Sequence, residues 1–270
     1  MLWIEAVRKL SSNLTEPFEL EFVYRGQHEL SKLDWLNLMR TEISDTELSN
    51  LTRICNQLLQ NVPPQYLVGW AEFCELRFKV DERVLIPRPE TEELVRMILD
   101  ENVDKPLKIL DIGTGSGAIA ISLAKNCPNW NITACDISDA AITVAHENAL
   151  KNHVDVTFAK SDVLSNITET FDIIVSNPPY IAFDELDEMD ESVKTYEPKT
   201  ALFAENQGLA IYEKIAAQSV TKMTENGKIY LEIGYKQGKS VQAIFQEKFP
   251  SKTVKIHQDI FGKDRMISVK

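Results

Sequence analysis

The sequence predicts an α/β protein whose larger part is a mostly parallel sheet with helices on both faces. Beyond residue 104, apolar runs of strand length alternate with stretches of helix length, which is the pattern of consecutive βα units. The last two runs follow each other without a helix between them, and they predict an antiparallel closing hairpin. Seven strands are expected, over residues 108–112, 131–136, 154–159, 171–176, 227–233, 252–258 and 265–269.

Four helices are expected between these strands, and a further apolar helix through Leu99 precedes the first of them. The four cover residues 116–125, 140–151, 209–223 and 236–249. The acidic run over residues 184–191 predicts a solvated, mobile surface loop.

The first 72 residues predict a small helical bundle, because their apolar residues recur at helical spacing. Three apolar stripes lie within residues 2–10, 30–39 and 48–59. Ser44 and Glu47 have the spacing of a capping box at the start of the third stripe. Alternating apolar residues over 73–86 then predict a β-hairpin that links the bundle to the sheet domain, residues 87–270.

The composition is that of an ordinary globular protein with one large and one small domain. Of its 270 residues 44% are hydrophobic, and the net charge of −12 weighs against broad nucleic-acid binding through phosphates. No apolar run approaches the ~18 residues of a membrane helix, and the first residues lack a signal-peptide core, so a cytoplasmic protein without membrane contact is expected. Four scattered cysteines and four isolated histidines predict no metal site.

A glycine-rich loop over residues 111–117, DIGTGSG, predicts a cofactor site. It follows an apolar strand and opens a helix, whose free N–H groups favour a negative group. Either a dinucleotide or S-adenosylmethionine fits such a loop, and a tight turn that only packs the helix on the strand is the bland alternative. The candidate binding residues are Gly113, Thr114, Gly115, Ser116 and Gly117.

Acidic residues follow the next two strands. Asp136 ends the second strand, where a carboxylate can accept hydrogen bonds from both ribose hydroxyls of either cofactor. Asp162 and Val163 follow the third strand, where a carboxylate can accept from an adenine amine and the next N–H can donate to a ring nitrogen. The alternatives are a helix cap at Asp136 and an ordinary turn at Asp162.

The stretch NPPY at residues 177–180 separates the two cofactor classes. It follows a buried strand, and Pro178 and Pro179 cannot continue that strand. Dehydrogenases have no use for it, whereas methylation of a planar –NH2 group needs two acceptors that orient the nitrogen and stabilise developing positive charge. The Asn177 side-chain oxygen and the Pro178 carbonyl are those acceptors, and Tyr180 offers a ring face for stacking. A simple proline-rich turn is the alternative.

The loop DIGTGSG and the motif NPPY resemble those of class I methyltransferases that act on planar nitrogens. The sequences PQYLVG at residues 64–69, IPRPETE at 86–92, and Glu197-Pro198 with Ala201-Leu202 narrow the resemblance. Together they are similar to the peptide chain release factor glutamine methyltransferases, over essentially the whole chain.

This resemblance implies a Rossmann-like methyltransferase sheet and methylation, by S-adenosylmethionine, of the glutamine amide in the Gly-Gly-Gln loop of class I release factors. Residues 113–117, Asp136 and Val163 would line the cofactor, with Asp162 and Asn177 as further contacts, and residues 177–180 would hold the glutamine. Val163 stands where the family can have a larger aromatic residue. The helical domain, residues 1–72, would bind the release factor, and no direct nucleic-acid contact is expected.

Three other functions remain open at this point. An adenine or cytosine amino-methyltransferase shares NPPY, but the −12 charge and the lack of a basic target-recognition insert weigh against it. A non-catalytic binding module would not need the glycines, Asp136 and NPPY together. An oxidoreductase would rest only on the loose dinucleotide fingerprint.

Overall fold

Two units make up the chain in the computed structural model, which describes residues 1–102 and 105–270 and, at Asp187 and Glu188, the main chain alone. The first unit consists of Met1–Trp70 and Asp190–Tyr196, and the second of Ala71–Met189 and Glu197–Lys270. Among the residues that the structure describes, no helix has the length and apolar character needed to cross a membrane.

The first unit is helical. Its buried aromatic core is centred on Trp3, whose ring meets the edge of Tyr24 at 5.0 Å and that of Trp35 at 6.1 Å between centroids. The Tyr196 hydroxyl donates to the Gln60 carbonyl at 3.0 Å, which joins residues 190–196 to this unit. The helices are α1 (Trp3–Ser11), α2 (Phe18–His28), α3 (Lys32–Leu38), α4 (Asp45–Leu59), α5 (Pro64–Val68) and α9 (Glu191–Tyr196).

The predicted capping box begins α4. Ser44 Oγ accepts from the Glu47 N–H at 3.3 Å, and Glu47 Oε2 accepts from the Ser44 N–H at 3.1 Å. The helix α2 lies between the predicted stripes at 2–10 and 30–39. No capping signal marks its start, because it begins after Pro17 without a side-chain cap. Local signals therefore locate the start of α4 and miss α2.

A short hairpin of β1 (Trp70–Phe73) and β2 (Leu76–Lys79) follows the helices. Its two turn residues, Cys74 and Glu75, both have positive φ, as a type I′ turn requires. The expected hairpin over 73–86 is therefore placed too late in the chain.

No strand forms over residues 84–86, and side chains explain why. Asp81 Oδ1 accepts from the Arg83 N–H at 3.1 Å and closes a turn. Further on, the Ile86 N–H donates to Glu197 Oε2 at 3.2 Å. Backbone donors that a strand would need are thus taken up by carboxylates.

The second unit contains the predicted seven-stranded, mostly parallel sheet, so this prediction is confirmed. The strand order is β5-β4-β3-β6-β7-β9-β8, in which β9 pairs antiparallel with both β7 and β8 and the other pairs are parallel. The expected closing hairpin is thus β8 and β9. The strands are β3 (Lys108–Ile112), β4 (Asn131–Asp136), β5 (Thr157–Lys160), β6 (Phe171–Ser176), β7 (Met223–Glu232), β8 (Val254–Gln258) and β9 (Asp264–Val269).

Helices cover both faces of this sheet, as the continuous apolar strands predict. On β6, Ile173 packs in one apolar core with α6 and α7, and its neighbour Ile174 packs in the other with α11 and α12. The helices of this unit are α6 (Pro89–Glu101), α7 (Ala118–Asn126), α8 (Asp139–Asn152), α10 (Lys199–Leu202), α11 (Ala210–Ser219) and α12 (Gly238–Lys248).

The acidic run over 184–191 is not a simple loop. It contains a 3-10 helix, Phe183–Glu188, and the start of α9. The side chains of Asp187 and Glu188 lie outside the described residues.

The strand register gathers polar residues at one edge of the sheet. Ile112 lies opposite Cys135 on one side and Ser176 on the other, and Ser176 lies opposite Leu231. The next residue along each of these four parallel strands therefore reaches the same edge, which is where open α/β sheets bind their ligands. These residues are Gly113, Asp136, Asn177 and Glu232.

Candidate active site

The glycine loop between β3 and α7 is held by the neighbouring strand. The N–H groups of Gly113 and Thr114 donate to the Cys135 carbonyl at 2.9 and 3.0 Å. Gly113, Gly115 and Gly117 all have positive φ, and a Cβ at Gly117 would lie 2.7 Å from Ile121 Cδ1. No heavy atom lies within 4 Å of a Cβ built on Gly113 or Gly115, so the loop faces open space there. A small ligand can therefore approach the main chain closely.

Asp136 is tied directly to this loop. Its Oδ2 accepts from the Gly115 N–H at 2.9 Å, and its Oδ1 accepts from the Ser138 N–H at 2.9 Å. Burial raises the pKa of the Asp136 carboxyl, and these N–H groups act in the opposite direction. Each oxygen accepts one such bond and keeps acceptor capacity for a ligand hydroxyl.

A second carboxyl, Asp111, lies in the interior under the loop. It is fully buried, and its Oδ2 accepts from the Thr114 hydroxyl at 2.7 Å. Burial raises the pKa of Asp111 to about 7. Asp111 thus anchors the glycine loop to the protein interior through its hydrogen bond with Thr114.

The predicted site residues after β5 are Asp162 and Val163. The Asp162 carboxylate, which is half exposed, forms an ion pair with Lys214 Nζ at 3.0 Å. Val163 is buried and has a φ of 55°. A β-branched residue in this region costs about 1–3 kcal/mol, a strain that is typical of ligand sites. The strained main chain at Val163 is therefore a candidate ligand contact, whereas the Asp162 side chain already has a partner in Lys214.

The NPPY loop leaves β6 with Asn177 half buried and Pro178 buried. Asn177 Nδ2 donates to Thr91 Oγ1 at 3.1 Å, and the Thr91 hydroxyl donates to Glu232 Oε2 at 2.6 Å. Burial raises the pKa of the Tyr180 phenol to about 12, so it remains protonated near neutral pH. The sequence pattern did not reveal Thr91 or Glu232 as neighbours of Asn177.

The other end of the NPPY loop is held by Gln237, a contact that the sequence pattern did not reveal. Gln237 Nε2 donates to the Tyr180 carbonyl at 2.9 Å and to the Gln207 carbonyl at 3.2 Å. Gly208, with a φ of +79°, lies against the same carbonyl, since a Cβ there would be 2.0 Å from Tyr180 O. The turn-forming residues Asn206 and Gly208 were the only local signal in the sequence, and the structure shows positive φ at all three residues of Asn206-Gln207-Gly208.

Gly208→Ala is expected to lower kcat about 100-fold. The added Cβ forces the Tyr180 carbonyl to move by roughly 1 Å, and misplacement of this size in an active site costs about that factor. Gly262→Ala is the matched control, because Gly262 also has positive φ, at 75°, but has nothing within 4 Å of a Cβ. Steady-state kinetics of both variants check this; equal losses would mean that backbone strain, and not the contact with Tyr180, matters.

A cavity of about 210 Å³ opens beside Tyr180. Its lining includes Ile181, Gly234, Gln237 and Arg265. Arg265 Nε pairs with Asp259 Oδ2 at 3.3 Å, so the guanidinium is held in place. The cavity gives room for a side chain or main-chain segment next to NPPY.

Two of the sequence motifs meet through Glu197. This carboxylate is 4% exposed and accepts from Arg88 Nη2 at 2.5 Å as well as from the Ile86 N–H. Pro89 then begins α6, which brings Thr91 into its first turn. The motif IPRPETE thus places Thr91 beside the NPPY loop.

The fold and this site define a methyltransferase. The family model described as methyltransferase small domain matches residues 91–193, which contain the glycine loop, Asp136 and NPPY. A solved methyltransferase from Pyrococcus furiosus superposes with a TM-score of 0.55 at 19% identity, covering 72% of this chain and 87% of that one. A 16S rRNA methyltransferase of T. thermophilus in complex with AdoMet and guanosine has a TM-score of 0.53 at 16% identity, covering 74% and 49%. At these identities both are similar in fold alone.

Curated relatives narrow the class. A release factor glutamine methyltransferase of Lactococcus lactis subsp. lactis is 70% identical over 270 residues, which is 100% of both chains. Those of Streptococcus pneumoniae and Enterococcus faecalis are 48% and 45% identical, covering 94% and 93% of this chain and 91% of each relative. The chain belongs to the release factor glutamine methyltransferase family, as its motifs predict.

Proposed function

We propose that this protein methylates the side-chain amide nitrogen of the glutamine in the Gly-Gly-Gln loop of class I peptide chain release factors. S-adenosylmethionine, when bound, supplies the methyl group on a sulfonium. The carbon–sulfur bond would break as the carbon–nitrogen bond forms, leaving a thioether, and the alkylated nitrogen would then lose a proton to solvent.

The observation that carries this proposal is the orientation of Asn177. Its Nδ2 is occupied by Thr91, so its Oδ1 is the atom available to a substrate amide. With the Pro178 carbonyl it provides two acceptors for one –NH2 group. Pro178 and Pro179 restrict the loop, so the acceptors need little rearrangement when substrate binds. Holding nitrogen and methyl in line can lower the barrier by about 7–11 kcal/mol.

The remaining site residues are assigned to the cofactor. Residues 113–117 would hold the methionine part, because the main chain at Gly113 and Gly115 faces open space next to the start of α7. Asp136 would accept from the ribose hydroxyls, and Val163 would contact adenine, with a smaller part for Asp162 because of its ion pair with Lys214. Tyr180 would stack on the substrate amide. Residues 1–72 would bind the release factor.

Mass spectrometry with fragmentation tests the proposal. A purified class I release factor incubated with this protein and S-adenosylmethionine is expected to gain one methyl group on the Gly-Gly-Gln glutamine. A release factor with that glutamine replaced by alanine is the control and should gain none. No added mass on the release factor, with methyl transfer to nucleic acid in a parallel reaction, would contradict the proposed substrate.

A further inference from the structure

Three side chains that are distant in sequence form a hydrogen-bonded chain ending at the proposed acceptor. Glu232 at the end of β7 accepts from Thr91 at 2.6 Å, and Thr91 accepts from Asn177 at 3.1 Å. Thr91 is 4% exposed and Glu232 is 2% exposed. A carboxyl buried to this extent is costly unless its neighbours satisfy it, so its position calls for an explanation beyond packing.

The direction of this chain follows from hydrogen counting. An ionised carboxylate only accepts, so the single hydroxyl hydrogen of Thr91 points to Glu232. The Thr91 oxygen can then only accept from Asn177, which turns the Asn177 –NH2 group towards it. We propose that Glu232, acting through Thr91, is a positioning residue that keeps Asn177 Oδ1 directed at the substrate amide. This inference rests on the proposed function of Asn177.

Protonation of Glu232 removes this constraint. A neutral carboxyl can donate to Thr91, and Thr91 can then donate to Asn177 Oδ1. The Asn177 amide would rotate to satisfy that bond and would present its –NH2 group to the substrate –NH2 group. Two donors facing each other form no hydrogen bond, so the acceptor would be lost.

The pKa of the Glu232 carboxyl lies near neutral pH, so its protonation state changes in that range. Burial raises this pKa to about 7, and the charge of Glu90 adds to that effect. The hydrogen bond from Thr91, the charge of Arg265 on β9 and the nearby Asn177 amide act in the opposite direction. Tyr180 and Tyr212 also face Glu232, but burial raises the pKa of Tyr180 to about 12 and that of Tyr212 well above its usual value. Neither phenol changes charge near neutral pH. The active, ionised form of Glu232 therefore gains population as pH rises through about 7.

Kinetics of Thr91 and Glu232 variants test the inference. For the wild-type protein, kcat for release factor methylation should rise with pH and level off above an apparent pKa near 7. Glu232→Gln should lower the kcat at pH 8 about tenfold and remove the pH dependence, and Thr91→Val should lower it at least as much. Thr91→Ser, which keeps the hydroxyl, should recover most of the rate lost in Thr91→Val. The Kd of S-adenosylmethionine should stay within about threefold in all three variants.

Two kinetic results would overturn the inference. One is a Glu232→Gln variant whose kcat keeps the wild-type pH profile. The other is a Thr91→Val variant as active as Thr91→Ser. Asp111 also has a pKa raised to about 7, so Asp111→Asn is included. A profile that changes in Asp111→Asn and not in Glu232→Gln would assign the titration to Asp111.

A measurement without turnover separates this inference from the proposed function. In the protein without substrate, the side-chain –NH2 signals of Asn177, assigned by their absence in Asn177→Ala, should shift in NMR spectra with a midpoint near pH 7. The shift should vanish in Thr91→Val. Static signals in the wild-type protein would refute the inference. If the wild-type protein methylates no release factor, the proposed function fails, and the NMR titration still decides whether Glu232 controls Asn177.

Discussion

Asn177→Ala is expected to lower kcat by about 10²- to 10³-fold. The substitution removes the Oδ1 acceptor at the position where positive charge develops on the substrate nitrogen, and losing one pre-organised group of this kind costs about that factor. The Kd of S-adenosylmethionine should change much less, by about fivefold at most, because Asp136 and the glycine loop are untouched. Single-turnover kinetics and calorimetry measure the two quantities separately.

A matched control for this variant is Asn131→Ala. Asn131 begins β4 at the opposite end of the sheet and is exposed, so it controls for the loss of an asparagine side chain as such. Its kcat should equal that of the wild-type protein. Wild-type turnover in Asn177→Ala would contradict the acceptor role.

Asp136→Ala is expected to raise the Kd of S-adenosylmethionine by about 100-fold. The variant loses the acceptor for two ribose hydroxyls, and charge-assisted hydrogen bonds contribute about 1.5–3 kcal/mol each. It also frees the Gly115 N–H, which Asp136 holds at 2.9 Å, so the loop becomes less well ordered. Isothermal calorimetry measures the change.

Two further variants make this result specific. Asp136→Asn keeps one oxygen acceptor and should weaken binding less, by about tenfold. Asp139→Ala removes an exposed carboxylate three residues away that pairs with Lys160, and it should leave the Kd unchanged. An unchanged Kd in Asp136→Ala would remove the ribose assignment.

The parts of the fold and site that could be predicted are those encoded by local sequence. Gly113, Gly117 and Asp136 follow apolar runs that form neighbouring parallel strands, so their meeting at one edge follows from strand order. The strands themselves are recognisable because both faces are covered and the apolar runs are continuous. The start of α4 is recognisable because Ser44 and Glu47 satisfy each other's main chain.

The parts that could not be predicted depend on contacts between distant residues. Thr91 is 141 residues from Glu232 in sequence and 86 from Asn177, so no local pattern links them. Lys214 pairs with Asp162 across 52 residues, and no local pattern predicts this contact. Residues 84–86 have the sequence pattern of a strand, but the Ile86 N–H donates to Glu197, which is 111 residues away in sequence.

The two halves of the candidate site, the glycine loop with Asp136 and the group that orients Asn177, depend on different lengths of chain. The glycine loop and Asp136 lie within a single β3-α7-β4 segment, and the hydrogen bonds of residues 113–117 and Asp136 join residues at most 32 apart. The half that orients Asn177 needs α6, β6 and β7 to be in place together, because its hydrogen bonds join distant residues. A local opening that separates β7 from β6 would disorder the acceptor and leave the cofactor loop intact. If the proposed function holds, cofactor binding is therefore expected to survive such an opening, whereas methyl transfer is expected to require β6 and β7 to be paired.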